Sequence, residues 1–238
     1  MLWATKLKKI IIIIIVLSLN ACNSMNGTSD PQTVKLKRTA KINTQLGVAY
    51  LQRHEMQRSK QKLLLALQQD PKLPEAWYSM GYLMEATGDV ENAKKYYLKS
   101  LSLAPKNGEV QNNYGTFLCR TGEYNEAIKH FMLAVADTEY LENASAYENA
   151  GLCALKIPDK KLALQYFNRA LMLDPNHPNA LLEAAKLNFE NKHFGDAKIQ
   201  LAEYLAIATP NAQTQMLSRK LGRIDVPFPS MNSQEQAL

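Results

Sequence analysis

Across 238 residues the chain sets 28 Lys and Arg against 22 Asp and Glu, for a formal charge of +6, with only 10 glycines and 3 cysteines. Lys6, Lys8 and Lys9 supply half of that charge, so the remainder is nearly neutral. It lacks the basic stripe with interleaved aromatics that marks a nucleic-acid binder. Scarce glycine, no alternating strand pattern and long stretches of helical periodicity point to an all-α chain, one domain or one elongated array.

The chain begins with those three lysines and then an apolar run, Ile10–Leu19. Ten residues of helix cover about 15 Å, roughly half a hydrocarbon core, so residues 1–21 read as a signal peptide and not a membrane span. Leu19 ends it, and Ala21 and Cys22 stand just beyond. Leucine at −3, a small residue at −1 and then cysteine resemble the bacterial lipobox. That resemblance implies cleavage before Cys22 and diacylglycerol on its thiol. The alternative is an apolar leader with an incidental cysteine. Asn23, where retained lipoproteins tend to carry Asp, points to the outer membrane and its periplasmic face. Residues 22–39 are polar at first and basic later, and read as a flexible tether.

A repeat occupies the next part of the chain. Gly47, Gly81 and Gly115 are 34 residues apart, Gly151 follows after 36, and Ala185 after another 34. Pro71 and Pro105, then after a gap Pro175 and Pro210, run in step with it, as do Ala66, Ser100, Ala134 and Ala170. Bulky residues recur as well: Leu63, Tyr97, Phe131, Phe167 and Leu201. The pattern resembles the tetratricopeptide repeat, a 34-residue helix–turn–helix unit. In that unit a small residue lets helix B cross close to helix A, a bulky one fills the space between repeats, and proline stops helix B. The expected repeats are 40–73, 74–107, 108–143, 144–177 and 178–211, with a capping helix over 213–222 and a disordered tail over 223–238. The two-residue excess falls in 137–143, where the terminal proline is also missing, which predicts a longer connection there. The fold class expected is a tetratricopeptide-repeat right-handed superhelix, an α-solenoid of five to six helix pairs.

Cys119 and Cys153 are an even pair in what the leader makes an oxidising compartment. They lie on the A helices of successive repeats, which run side by side about 8–10 Å apart. The spacing permits a bridge; the alternative is two buried thiols. His54, His130, His177 and His193 are scattered over different repeats without metal-ligand spacing. No glycine-rich phosphate loop and no nucleophile elbow is present. The chain therefore reads as a non-enzyme needing no cofactor and no small-molecule substrate.

In such an array the A helices line a concave groove. Its exposed positions predict partner contacts from Tyr78, Tyr82, Asn112, Thr116, Glu148 and Leu152. Tyr78 and Tyr82 are four apart and share a helical face. Aromatics with a polar tip beside amides suit an extended peptide or a helix. The alternative is that the tyrosines only cover the groove floor.

Asn112-Asn113-Tyr114-Gly115-Thr116-Phe117-Leu118-Cys119 resembles the corresponding segment of the PilF/PilW family, outer-membrane lipoproteins of type IV pilus biogenesis. The resemblance implies a pilotin-like role: binding the secretin subunit and promoting its outer-membrane localisation and multimerisation, with membrane attachment through the N-terminal lipid. The competing expectation is another periplasmic scaffold, serving β-barrel assembly or a peptidoglycan enzyme.

Overall fold

A computed structural model describes residues 30–224. The leader, Cys22 and the tail after 224 lie outside the described residues. Within them the chain forms eleven α-helices and no strand. Five antiparallel pairs follow one another: α1 (Pro31–Gln52) with α2 (Met56–Gln69), α3 (Pro74–Ala86) with α4 (Val90–Leu103), and α5 (Gly108–Arg120) with α6 (Tyr124–Val135). Then come α7 (Asn143–Ala154) with α8 (Lys160–Leu173) and α9 (Pro178–Glu190) with α10 (Phe194–Ile207). A last helix, α11 (Ala212–Gly222), packs against α9 and α10 and closes that end. Each A helix also touches the A helix of the next repeat, so the odd-numbered helices share one face of the stack.

The 34-residue period has a direct packing cause. A Cβ on Gly47 would sit 2.7 Å from Leu63, on Gly81 3.0 Å from Tyr97, on Gly115 2.9 Å from Phe131, and on Gly151 2.7 Å from Phe167. In every case the large side chain of helix B lies flat on the bare backbone of helix A. Tyr97, Phe131 and Phe167 are almost fully buried there. Ala66, Ala93, Ser100, Ala127, Ala134, Ala163 and Ala170 are fully buried on the same faces of the B helices. Burial of one such aromatic stabilises by about 1.5–3 kcal/mol, and repeats without a common core need one each.

Helix ends are set locally. Side chains of Asp89, Asn107, Asp159 and Asn211 accept backbone N–H groups of Asn92, Val110, Leu162 and Thr214. Each cap contributes about 1 kcal/mol. Trp77 Nε1 donates to the Pro71 carbonyl at 2.8 Å, and Gln111, one repeat on, donates to the Pro105 carbonyl at 2.5 Å. The same carbonyl at the start of successive inter-repeat turns is thus satisfied by two different side chains.

The A-to-B turn needs one residue of positive φ. Gly88 (φ 84°) and Gly122 (φ 91°) supply it, but His54 (φ 59°) and Lys192 (φ 63°) occupy the equivalent place in the first and fifth repeats. In the fourth repeat Pro158 stands there, whose ring forbids positive φ, and the chain makes a longer turn over residues 155–158. Left-handed backbone costs a side-chain-bearing residue about 1 kcal/mol. Lys192→Gly is expected to raise stability by up to about 0.5 kcal/mol, once the larger unfolded-state entropy of glycine is subtracted. Urea denaturation reads this directly; a lower midpoint would show that Lys192 earns its place through contacts instead.

Two features depart from the sequence reading or extend it. The tether expected over 22–39 is corrected: α1 begins at Pro31, so residues 31–39 are helical. Asp30 accepts from the backbone N–H groups of Gln32 and Thr33, both at 3.3 Å, and Pro31 occupies the first turn. The Asn, Ser and Gly residues of this stretch all precede Asp30, and nothing from Gln32 to Ala40 interrupts a helix. The connection over 136–142 is longer than those over 70–73, 104–107, 174–177 and 208–211. It folds back on α5: Asp137 accepts the Gly108 N–H at 2.6 Å, and a Cβ on Gly108 would meet Tyr140 at 2.5 Å.

Candidate partner-binding groove

The shared face of α1, α3, α5 and α7 carries most of the residues expected to bind. Tyr78 is half-buried, and its hydroxyl donates to Glu109 Oε1 at 2.5 Å across the α3–α5 boundary. Burial, reinforced by that carboxylate, pushes its ionisation far above the ordinary tyrosine range, so it stays a donor at any physiological pH. Tyr82 is 44% exposed, one turn further along α3. The Arg120 guanidinium lies over its ring, 5.5 Å from the centroid. Arg120 in turn grips Glu85 with two nitrogens, Nη2–Oε2 at 2.7 Å, and Tyr97 donates to the same carboxylate at 3.3 Å. The sequence reading missed Arg120. Its signal is a separation of one repeat plus one residue from Glu85, which sets an opposite charge on the neighbouring A helix.

On α5, Asn112 Oδ1 accepts from Asn149 of α7 at 3.1 Å, and the Thr116 hydroxyl donates to the Asn112 carbonyl at 2.8 Å. Both side chains are half-buried with their hydrogen-bonding capacity partly used. Leu152 is 36% exposed on α7. Glu148 differs from expectation. It is buried, accepts from Asn179 at 3.0 Å, and has His177 Nδ1 2.6 Å from its other oxygen, though not aligned as a hydrogen bond. It clamps α7 to the start of α9 and is not a free groove contact, because the next repeat lays His177 and Asn179 over it. Cys119 and Cys153 form a disulfide between α5 and α7, with Cα atoms 5.7 Å apart.

Two cavities open on this face. One of about 450 Å³ lies between α1 and α3, with Lys41, Val48, Leu73, Tyr78 and Glu109 in its wall. Ser79 Oγ and one Glu75 carboxylate oxygen are buried in that wall with no hydrogen-bond partner within the protein. The other, about 520 Å³, lies between α5, the 136–142 connection and the start of α7, lined by Glu109, Asn112, Tyr140 and Ser145 among others. Burial pushes the Tyr140 hydroxyl up to about 12. Leu141 stands at its rim, 90% exposed. Glu109 borders both cavities, so the groove is continuous across two repeats. Buried unpaired oxygens are costly unless a ligand's donors meet them. Amide, hydroxyl and carboxylate acceptors along an apolar floor fit N–H groups of an extended polypeptide. Elsewhere, burial lowers the His130 ionisation, and its Nδ1 lies 2.5 Å from Gln111 Oε1 inside the stack.

Models of the tetratricopeptide repeat match residues 74–107, 96–129, 115–180 and 161–221. The chain is a tetratricopeptide-repeat solenoid, a fold typical of protein-interaction scaffolds. It is 27% identical to the type IV pilus assembly protein PilF of Pseudomonas aeruginosa over 180 residues, 76% of this chain and 71% of that protein. The Pseudomonas aeruginosa PilF structure superposes with a TM-score of 0.75 at 29% identity, covering 79% of this chain and 85% of that one. The structure of PilW, described as a widely conserved type IV pilus biogenesis factor, does so at 0.68 and 28%, covering 77% and 84%. The protein is homologous to PilF and is a PilF/PilW-like tetratricopeptide-repeat protein.

Proposed function

We propose that this protein is an outer-membrane lipoprotein, held through acyl chains on Cys22, that captures the secretin subunit of a type IV pilus in the groove of α1, α3, α5 and α7 and promotes its multimerisation. The observation that carries this reading is the homology to PilF over the helical array, joined to a leader ending in Leu19-Asn20-Ala21-Cys22. The groove supplies hydrogen-bond acceptors and two tyrosines on a rigid helical floor. Tethering a weak binder beneath the bilayer raises its effective concentration, so modest contacts suffice.

Deleting the gene is expected to abolish secretin multimers in outer-membrane fractions. Normal multimers in the deletion strain would remove the secretin from this reading. Palmitate labelling at Cys22 tests the anchor separately. Within the groove, Tyr82→Ala is expected to weaken capture of the secretin subunit at least tenfold, about 1.4 kcal/mol, as loss of an exposed aromatic anchor should. Helicity should not change, since Tyr82 is 44% exposed and lies outside the buried core. An unaltered Kd would take Tyr82 out of the interface.

A further inference from the structure

The first helix is built unlike the other A helices. It has 22 residues, against 13 in α3, α5 and α9 and 12 in α7. The excess is at its start, where Pro31–Arg38 are all exposed and the first fully buried residue is Ala40. Beyond the groove, α1 carries a second stripe. Val34, Arg38, Ile42 and Leu46 are spaced four apart, with Lys35 beside them, so they share a face. Val34, Ile42 and Leu46 are 49%, 46% and 40% exposed. The helix contains Lys35, Lys37, Arg38 and Lys41 and no acidic residue. Asp30, just before it, is used as the N-cap. On α2, Arg58 is tied to Glu55 at 2.6 Å.

We infer that this face of α1 lies on the anionic phospholipid surface of the bilayer, as a second membrane contact beside the lipid. Three observations choose that occupant. The stripe is separate from the residues by which α1 is buried, Ala40, Asn43, Thr44, Gly47 and Leu51, and its own side chains line neither cavity of the groove. Its charge is of one sign and complements phosphate headgroups, while its apolar residues alternate with the bases as in helices that lie in an interface. And the residues from Cys22 to Pro31, even fully extended, keep the start of α1 within about 30 Å of the anchored cysteine. Acyl chains on Cys22 hold the chain at the bilayer without fixing how it lies, and an added basic surface on α1 strengthens attachment and fixes its orientation. With α1 flat on the bilayer, the rest of the solenoid projects away from it. The inference rests on the proposed anchor only for where the bilayer lies.

Its test does not use the lipid. The chain from residue 22 to 238 with Cys22→Ser is sedimented with vesicles of phosphatidylethanolamine and phosphatidylglycerol, and with vesicles of phosphatidylcholine alone. Binding is expected on the anionic vesicles at low salt, and at least tenfold weaker on the neutral ones or in high salt. Lys35→Glu with Arg38→Glu should lower anionic binding at least tenfold, and Ile42→Ser with Leu46→Ser severalfold. Circular dichroism should be unchanged in both, since all four side chains are exposed. No binding to anionic vesicles, or equal binding by wild type and the charge-reversed variant, overturns the inference. So does self-association that the Ile42→Ser and Leu46→Ser changes abolish, which would make the stripe an interface between copies. Vesicle binding that persists when palmitate labelling fails would sink the anchor and leave this face standing.

Discussion

Phe131→Ala is expected to cost about 3–5 kcal/mol, the range for deleting a fully buried aromatic ring without collapse of the site. Phe131 is 1% exposed on α6 and lies against the bare backbone of Gly115. Its cluster joins three repeats: Ala93 and Tyr97 from the second, Tyr114, Phe117, Leu118 and Ala127 from the third, Ala150 and Cys153 from the fourth. In a stack whose units contact only their neighbours, a hole in the middle weakens the coupling on both sides. The urea transition should therefore move to lower concentration and broaden. Gly115→Ala supplies the control. Its new Cβ would lie 2.9 Å from Phe131 Cε1 and 3.1 Å from the Ala127 carbonyl. Overpacking of about 1–3 kcal/mol is partly offset by about 1 kcal/mol of better helix propensity. Combined with Phe131→Ala the same methyl enters the vacated space, so the double variant should lose less than the two single losses added. Strict additivity would show that Gly115 and Phe131 do not act as one packing unit.

Reducing the Cys119–Cys153 bridge is expected to remove about 3–4 kcal/mol. The two residues are 34 apart, and a loop of that size loses this much closure entropy when cross-linked in the unfolded chain. The bridge crosses the boundary between the third and fourth repeats. It joins the C-terminal ends of α5 and α7, opposite the ends where the 136–142 connection packs, and a rigid link there holds two of the groove's A helices in register. Wild-type protein should unfold at markedly lower urea in reductant. A variant carrying Cys119→Ser and Cys153→Ala should match the reduced wild type and ignore reductant altogether. Two thiols titrating in denaturant under oxidising conditions would show that no bridge forms.

Much of this architecture was legible before any coordinates. The Gly47, Gly81, Gly115, Gly151, Ala185 series and its partners Leu63, Tyr97, Phe131, Phe167 and Leu201 specify five helix pairs, because a close crossing requires a small residue opposite a large one at every step. The proline series and the caps end and begin helices through backbone geometry alone. The face bearing Tyr78, Tyr82, Asn112 and Thr116 followed from the same period. The start of α1 was not legible, since a polar run without glycine is compatible with either tether or helix until a cap such as Asp30-Pro31 is weighed.

What the stacking alone decided is which exposed positions stay free. Glu148 and Leu152 are one turn apart on the same helix, and their spacing treats them alike. His177 and Asn179, about one repeat further on, cover the first and leave the second open. Arg120 on Tyr82, Tyr78 on Glu109 and Asn149 on Asn112 are likewise contacts between repeats. Helical periodicity is a property of neighbours three and four apart, so one sequence carries it in full. Contacts between residues some 30 to 40 apart depend on the angle at which each pair leans on the next and on the rotamer each long side chain then finds, and only the assembled stack sets those.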